Sequence, residues 1–263
     1  KLYDFQEDMV QTVHDNRFTI AKLPRQSGKS TTMVAYLLHY IMFNQNMNVA
    51  ILANKQSVAK DILSRLQLTY EYLPLWLQQG IVEWNKASIK LENGSRIIAS
   101  STSSSAIRGG SYNAILLDEF AHVPTNIAEE FFNSVYPTIS AGQDTKVIMI
   151  STPNGLNMFY YYWKGATKKP GESGKNDYIP IEVQWNEVPQ YPGGPLRDEK
   201  WKEETIANTS AEQFQQEFIC DFLGSQNTLI SSAKLRTLNW ITPKTKDADG
   251  LWIYEEPKED RDY

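Results

Sequence analysis

The segment Leu23–Ser30 has the residue types and the spacing of a phosphate-binding loop. It reads Leu-Pro-Arg-Gln-Ser-Gly-Lys-Ser, and its last three residues match the P-loop pattern, whereas Leu23 replaces the first glycine. Backbone N–H groups at a helix N-terminus bind phosphate oxygens, a lysine reaches the terminal phosphates, and a hydroxyl ligates magnesium. An ordinary turn with a helix cap is the alternative. We expect ATP to be bound by Pro24, Arg25, Gln26, Ser27, Gly28, Lys29, Ser30 and Thr31, with Ser30 as a magnesium ligand.

Two adjacent carboxylates, Asp118 and Glu119, follow the apolar run Ile115–Leu117. In P-loop ATPases the first such acid holds the magnesium shell and the second polarises the attacking water. These are the roles we predict for Asp118 and Glu119. A pair of solvated acids at a strand end is the alternative, but their position downstream of Lys29, with β-type runs between the two motifs, favours an ATPase.

A third apolar run ends at Ile150-Ser151-Thr152, directly before a Pro-Asn-Gly turn. In this class of fold that strand lies between the strands that carry the other two motifs, so Ser151 and Thr152 are expected to face the γ-phosphate. A strand end followed by a helix N-cap explains the same residues about as well.

Two arginines are candidates for stabilising charge on the γ-phosphate. Arg25 lies inside the P-loop, where its guanidinium could act in cis. Arg108 lies on a glycine-containing loop ahead of Asp118 and could serve the ATP of a neighbouring subunit. For each of them, the alternative is a loop arginine that is solvated or paired with a nearby carboxylate.

The N-terminal run Leu2–Gln6 supplies candidates for binding the base. A glutamine amide can both donate to and accept from the edge of adenine, so we expect Gln6 to read the base with Tyr3 stacked beside it. Simple packing of the two aromatic residues in this run is the alternative.

The elements that must position these residues alternate between β-type and helical runs. Such an order predicts a mostly parallel sheet with helices on both faces. Together with the two motifs, it predicts an α/β P-loop ATPase fold of the RecA-like class with a small second subdomain. Asn93-Gly94 between two alternating runs predicts a hairpin. The predicted strands are Phe18–Leu23, Asn48–Ala53, Ser88–Glu92, Ser95–Ala99, Ala114–Leu117 and Lys146–Ile150, and the predicted helices are Lys29–Phe43, Lys55–Tyr72, Asn126–Ile139, a stretch after Gly155, and Asp198–Phe218.

The segment Lys168–Gly194 is rich in Lys, Pro and Gly, which indicates a loop-rich boundary. We therefore predict an ATPase core at residues 1–176, a small lid or linker subdomain at 177–240, and a linker at 241–263.

Composition excludes several other classes of protein. The chain has 263 residues with a formal net charge of −5, which argues against a face that is basic throughout. Cys220 is the only cysteine, so neither an intrachain disulfide nor a cysteine-based zinc site can form. His14, His39 and His122 lack metal-ligand spacing and are expected to be structural or on the surface. No apolar run is long enough to span a membrane.

Taken together, Leu2–Gln6, Pro24–Ser30, Leu116–Glu119 and Ser151–Gly155 resemble the large terminase subunit of tailed bacteriophages, most closely the T-even type. The resemblance extends from about Leu2 to about Trp240. Replacement of the first P-loop glycine is common in that family. It usually has Thr or Ser at all three positions of its coupling motif, so Ile150 departs from the pattern.

The resemblance implies an ATPase motor that translocates double-stranded DNA into a procapsid in the cytoplasm of the infected bacterial host. Its implied partners are the DNA, the portal protein, the small terminase subunit and further copies of itself in a ring. It also implies Arg25 as the P-loop arginine finger, Arg108 as a finger acting on the adjacent subunit in some relatives, and Ile150, Ser151 and Thr152 as the coupling motif. Family members continue into a nuclease domain, which we expect this fragment to lack.

Two other classes of protein compete with this interpretation. A superfamily-2 helicase or translocase shares the Asp-Glu pair, but it requires a second motor domain, for which the stretch Lys168–Tyr263 is short and loop-rich. A nucleotide-gated binding module needs no catalytic base, so Glu119 argues against it.

Overall fold

The computed structural model describes residues 2–103, 107, 110–141, 145–222, 245–246 and 252–253. The chain divides into two compact units, Lys1–Leu223 and Gly224–Tyr263. The first unit is built around an eight-stranded sheet with the strand order β3-β4-β5-β2-β6-β7-β1-β8. The strands are β1 (Phe18–Lys22), β2 (Asn48–Ala53), β3 (Ile81–Trp84), β4 (Ser88–Leu91), β5 (Arg96–Ser101), β6 (Ala114–Asp118), β7 (Lys146–Ser151) and β8 (Ile179–Glu182).

Six neighbouring strands run parallel to one another, in the order β5, β2, β6, β7, β1 and β8. Strands β4 and β3 extend the sheet beyond β5, and each pairs antiparallel with its neighbour. The predicted mostly parallel sheet is therefore confirmed. The predicted hairpin is also present, because β4 and β5 pair antiparallel and Gly94 between them has a φ of 84°.

Seven α-helices accompany this sheet in the described part of the first unit. The predicted helices are confirmed with small shifts at their ends, but the stretch predicted at Asp198–Phe218 is two helices, because Ser210 caps a new helix with its side chain. The helices are α1 (Asp4–Asp15), α2 (Lys29–Phe43), α3 (Gln56–Glu71), α4 (Thr125–Ala141), α5 (Met158–Thr167), α6 (Glu199–Asn208) and α7 (Ala211–Glu217).

Both faces of the sheet are buried, which explains why the central strands are continuous apolar runs. Alternate residues of each strand enter different clusters: Ala21 packs with the residues of α1, α2 and α3, whereas Ile20 packs with those of α4 and α5. Leu23, which replaces the first glycine of the P-loop pattern, is fully buried in the first cluster. Its side chain anchors the start of the loop in the core.

The edge strand β8 pairs in parallel with β1, although its sequence lies in the segment that we assigned to a second subdomain. The division of the chain into compact units lies at Leu223, and the subdomain boundary at residue 176 stays a prediction. This strand was not predicted, because its sequence Ile-Pro-Ile-Glu contains a proline. Proline interrupts a strand pattern and is tolerated only at an edge such as this one. In the second unit, the described residues form an antiparallel pair, β9 (Thr245–Lys246) and β10 (Trp252–Ile253).

Candidate functional site

The three sequence motifs meet at the carboxyl ends of three adjacent strands. Strand β7 pairs with β6 on one side and with β1 on the other, as predicted. In the register of the sheet, Lys22 lies opposite Ser151, and Asp118 lies opposite Ile150. The P-loop, the acidic pair and the hydroxyl pair therefore leave the sheet side by side, at the edge where ligands bind in open α/β sheets.

The centre of the site is an ion pair between Lys29 and Glu119. The Lys29 Nζ lies 3.0 Å from Glu119 Oε1, and Lys29 is only 7% exposed. Glu119 has a φ of 50°, in the left-handed region that is uncommon for a residue with a side chain. The strand thus ends in a sharp turn directly after Asp118. Backbone strain of this kind is typical of functional sites.

Asp118 and Ser30 provide the oxygen atoms expected for a magnesium site. The Ser30 hydroxyl donates to the Asp118 carboxylate, with Oγ 3.2 and 3.3 Å from its two oxygens. Burial, with the nearby charge of Glu119, raises the pKa of Asp118 to about 6, although Lys29 and Ser30 act in the opposite direction. A buried carboxylate and a hydroxyl are the hard oxygen donors that magnesium takes beside phosphate oxygens. The two residues therefore fit that ion.

The pKa of Glu119 is lowered even though its burial acts to raise it. The charge and the hydrogen bond of Lys29 outweigh the burial, and His122 acts in the same direction. Glu119 is therefore a carboxylate at neutral pH, which is the form that can accept a proton.

The segment Ile150–Thr152 contacts the turn that follows Glu119. The Ser151 hydroxyl lies 3.4 Å from Glu119 Oε2 and accepts a hydrogen bond from the Ala121 N–H. His122 Nε2 lies 3.2 Å from Thr152 Oγ1 and 3.7 Å from Glu119 Oε2. The side chain of Asn157, which caps α5, donates to the Ala121 carbonyl. Ile150 is fully buried in the core and does not supply a polar atom here.

Helix α1 contacts the main chain of the P-loop through the side chain of Gln6. Gln6 is 8% exposed, and its Nε2 donates to the Ser27 carbonyl at 3.3 Å, while its Oε1 accepts from the Tyr3 N–H. Gly28 has a φ of 78°, and a Cβ at this position would lie 2.8 Å from Gln6 Nε2. The Ser27 hydroxyl is buried and has no hydrogen-bond partner among the described residues. Both ends of the Gln6 amide thus contact main-chain atoms.

Arg25 lies at the rim of the site. Its guanidinium is 3.4 Å from Glu217 Oε1, and its side chain is 60% exposed. A cavity of about 240 Å³ separates this rim from the acidic pair and is lined by Arg25, Asn54, Val58, Glu119, His122, Thr152 and Glu217. Arg108 lies outside the described residues. Pro24 is buried, whereas Gln26 and Thr31 are exposed.

Tyr3 contacts a different part of the molecule. Its ring stacks on Phe5, and its hydroxyl accepts a hydrogen bond from the Gly193 N–H at 2.9 Å. Both aromatic residues line a groove of about 780 Å³ between α1 and the loop around residues 187–196.

Several residues of the site were not found from the sequence. His122 was expected to be structural or on the surface, yet it contacts both Glu119 and Thr152. Its position three residues after Glu119 is the only signal for it, since a short turn brings the two side chains together. Asn54 and Glu217 reach the cavity from β2 and α7, and no local motif marks either of them.

Comparison with known proteins identifies the family. The family model described as terminase large subunit, T4-like virus type, N-terminal, matches residues 20–237 of this chain. The chain belongs to this terminase family. The resemblance inferred from the motifs is therefore confirmed.

Individual relatives of this terminase sequence are distant. The large terminase subunit of Thermus virus P23-45 is 29% identical over 137 residues, which are 50% of this chain and 27% of that protein, so the match spans about a quarter of that relative. The ATPase domain of the large terminase of Thermus phage P74-26 has a TM-score of 0.60 at 21% identity, covering 84% of this chain and 94% of that one. The large terminase of a thermophilic bacteriophage, solved in complex with ADP, has a TM-score of 0.60 at 12% identity, covering 84% of this chain and 54% of that one.

Both structures share the fold of this terminase chain. Among its described helices, none has the length and apolar character needed to cross a membrane.

Proposed function

We propose that this chain is the ATPase motor domain of a large terminase, and that it couples ATP hydrolysis to translocation of double-stranded DNA into a procapsid. The observation that carries the proposal is the cluster of Lys29, Ser30, Asp118 and Glu119, which lie at or after the ends of β1 and β6, the two strands on either side of β7. Membership in the terminase family and the ADP-bound relative support nucleotide as the ligand.

Binding of ATP places the triphosphate on the P-loop. The backbone N–H groups at the start of α2 and the Ser27 hydroxyl provide donors, and Lys29 neutralises the terminal phosphates. Ser30 and Asp118 would hold magnesium, which when bound supplies positive charge against the phosphate oxygens. A nearby cation also stabilises the ionised form of Asp118 against the effect of its burial.

Glu119 is the proposed general base. When Lys29 turns to the phosphates, the Glu119 carboxylate is released from its ion pair and keeps Ser151 and His122 as neighbours. A water attacks the γ-phosphorus and gives its proton to Glu119 as the bond to the β-phosphate oxygen breaks, which yields ADP and inorganic phosphate. The proton then leaves Glu119 to solvent.

We propose that Arg25 stabilises the charge on the γ-phosphate of the ATP that is bound to the same subunit. Because its guanidinium pairs with Glu217 in this structure, it has to leave that carboxylate to reach the γ-phosphate. Arg108 is the alternative, acting on the ATP of an adjacent subunit, so the site would be completed only in a ring.

The remaining assignments follow the family. We propose that Gln6 and Tyr3 contribute to the base site, and that Ile150, Ser151 and Thr152 form the coupling segment. The contacts of Ser151 and Thr152 with the turn after Glu119 support a coupling role for these two residues. The proposed partners are double-stranded DNA, the portal protein, the small terminase subunit and further copies of the chain, in the cytoplasm of the infected host.

Steady-state ATP hydrolysis over a series of protein concentrations, with and without double-stranded DNA, tests this proposal. We expect slow turnover that rises more than linearly with protein concentration and is abolished in Lys29→Ala. A rate that is strictly proportional to protein concentration would exclude Arg108 as a residue that acts on the ATP of an adjacent subunit. It would also exclude a site that is completed only in a ring. Wild-type protein that binds ATP without turnover under all conditions would favour a nucleotide-gated binding module instead.

A further inference from the structure

Arg197 is a charged side chain that is buried without an anionic partner among the residues that the structure describes. The residue is 2% exposed, and its guanidinium lies 4.5 Å above the ring of Trp201 and 5.4 Å from that of Phe218. Its Nε and Nη1 are buried and make no hydrogen bond with any residue that the structure describes. Burial lowers the pKa of Arg197 to about 10. Burial of an unpaired charge is unfavourable, so this side chain is a poor choice for stability alone.

Within the described part of the chain, the Arg197 guanidinium makes a single hydrogen bond, and it goes to the P-loop. Its Nη2 donates to the main-chain carbonyl of Arg25 at 3.2 Å. The same P-loop residue donates its backbone N–H to the Glu217 carbonyl at 2.8 Å. Helix α7 also contacts the residue that directly follows the proposed coupling segment, because Gln216 Nε2 donates to the Pro153 carbonyl at 3.3 Å. The segment from Arg197 to Phe218 thus contacts both loops that would surround the γ-phosphate.

These contacts are made to main-chain atoms and do not depend on where the Arg25 side chain points. Arg25 can therefore move its guanidinium towards or away from Glu217 while its carbonyl stays bonded to Arg197. The aromatic residues around Arg197 pack against one another as well: Trp185 and Trp201 stack at 6.2 Å, and Phe214 and Phe218 lie 5.2 Å apart. Such a cluster can enclose an apolar side chain of similar length as readily as a guanidinium.

We propose that Arg197 is a positioning residue for ATP hydrolysis, which ties the P-loop main chain to helices α6 and α7 so that nucleotide binding at the loop moves these helices. The inference rests on the proposed ATPase function. It adds Arg197 to the residues needed for hydrolysis, and it states that movement passes from the P-loop to α6 and α7. Arg197 is kept in a buried position because its hydrogen bond to the loop is needed for activity, at a cost in stability.

Three variants test this role. Arg197→Met removes the charge and the donor but keeps an unbranched side chain against Trp201. Arg197→Lys keeps a charge and a single donor for the Arg25 carbonyl. Lys202→Met is the matched control, because Lys202 lies 5.6 Å from the ring of Trp185 in the same aromatic cluster and is paired with Glu199 rather than with the P-loop.

Each variant is measured for thermal stability, for kcat and KM of ATP hydrolysis, and for amide hydrogen exchange with and without ADP. We expect Arg197→Met to have an unchanged or higher Tm, a kcat about tenfold lower, and a KM close to that of the wild type. ADP should slow exchange in both the P-loop and α7 of the wild type, and in this variant only in the P-loop. Arg197→Lys should recover kcat to within about threefold of the wild type, and Lys202→Met should stay within about twofold.

Wild-type kcat together with wild-type protection of α7 in Arg197→Met would overturn the inference. A lower Tm with a loss of kcat that matches the unfolded fraction would overturn it too, because Arg197 would then be structural. Wild-type protein without any ADP-dependent protection in the P-loop would refute the proposed function itself, and the inference with it.

Discussion

Replacement of Gly28 by alanine probes how tightly helix α1 and the P-loop fit together. Gly28 has a φ of 78°, and the added Cβ would lie 2.8 Å from Gln6 Nε2. An L residue in the left-handed region costs about 1–2 kcal/mol. The Gln6 amide end would also have to move, which loses its 3.3 Å hydrogen bond to the Ser27 carbonyl, a contribution of about 0.5–1.5 kcal/mol. We expect Gly28→Ala to lower the free energy of unfolding by about 2–3 kcal/mol.

Substitution of a second glycine separates the cost of the left-handed backbone from the cost of displacing the Gln6 amide. Gly171 has a φ of 88°, but no atom of a described residue lies within 4 Å of its added Cβ, so Gly171→Ala should cost only the backbone part of about 1–2 kcal/mol. The Gln6→Ala background removes the amide that the Gly28 Cβ meets. In a double-mutant cycle measured by urea unfolding, we expect about 1 kcal/mol of coupling between Gln6→Ala and Gly28→Ala and none with Gly171→Ala. Equal coupling for the two glycines would refute this account of the P-loop.

Three further predictions concern Asp118, Tyr36 and Asn157. Burial raises the pKa of Asp118 from 3.8 to about 6, so the folded state binds this proton more tightly than the unfolded state, and stability falls as pH rises from about 4 to 6. Asp118→Asn should therefore unfold at a higher temperature than the wild type at pH 7.5, with a smaller difference at pH 4, and should lose magnesium-dependent ADP binding. Tyr36 has a buried hydroxyl that finds no hydrogen-bond partner in the described part of the chain, and Tyr36→Phe should raise stability by about 1 kcal/mol in urea unfolding. Asn157→Ala removes the cap of α5 and a donor to the Ala121 carbonyl, so it should lose about 1 kcal/mol of stability and lower kcat at constant KM.

Much of the fold could be predicted because its strong signals are local. The buried strands β1, β2, β6 and β7 are short apolar runs bounded by turn residues, and the long helices have clear apolar faces. The edge strands β3 and β8 were missed, because half-exposed strands at an edge lack both an apolar run and a regular alternation. Their pairing depends on neighbours that are distant in the sequence.

The site likewise contains residues that belong to local motifs and residues that only the folded chain brings together. Lys29, Ser30, Asp118 and Glu119 belong to compact motifs at strand ends, so their convergence follows from the order of the strands. The partners Glu217 and Arg197 approach the P-loop from the C-terminal part of the first unit, and only the folded chain brings them there. The dense contacts of the Gln6 amide with main-chain atoms were likewise not evident, because a glutamine in a helix gives no sign of its partner.

The role of Glu119 as the base is the central claim, and the most direct test is the turnover of Glu119→Gln at saturating ATP together with its affinity for ATP. Glu130→Gln is the matched control, since Glu130 is exposed on α4. We predict that Glu119→Gln binds ATP with an affinity similar to the wild type and hydrolyses it about a hundredfold more slowly, while the control is unchanged. Turnover in Glu119→Gln equal to that of the wild type would contradict the account.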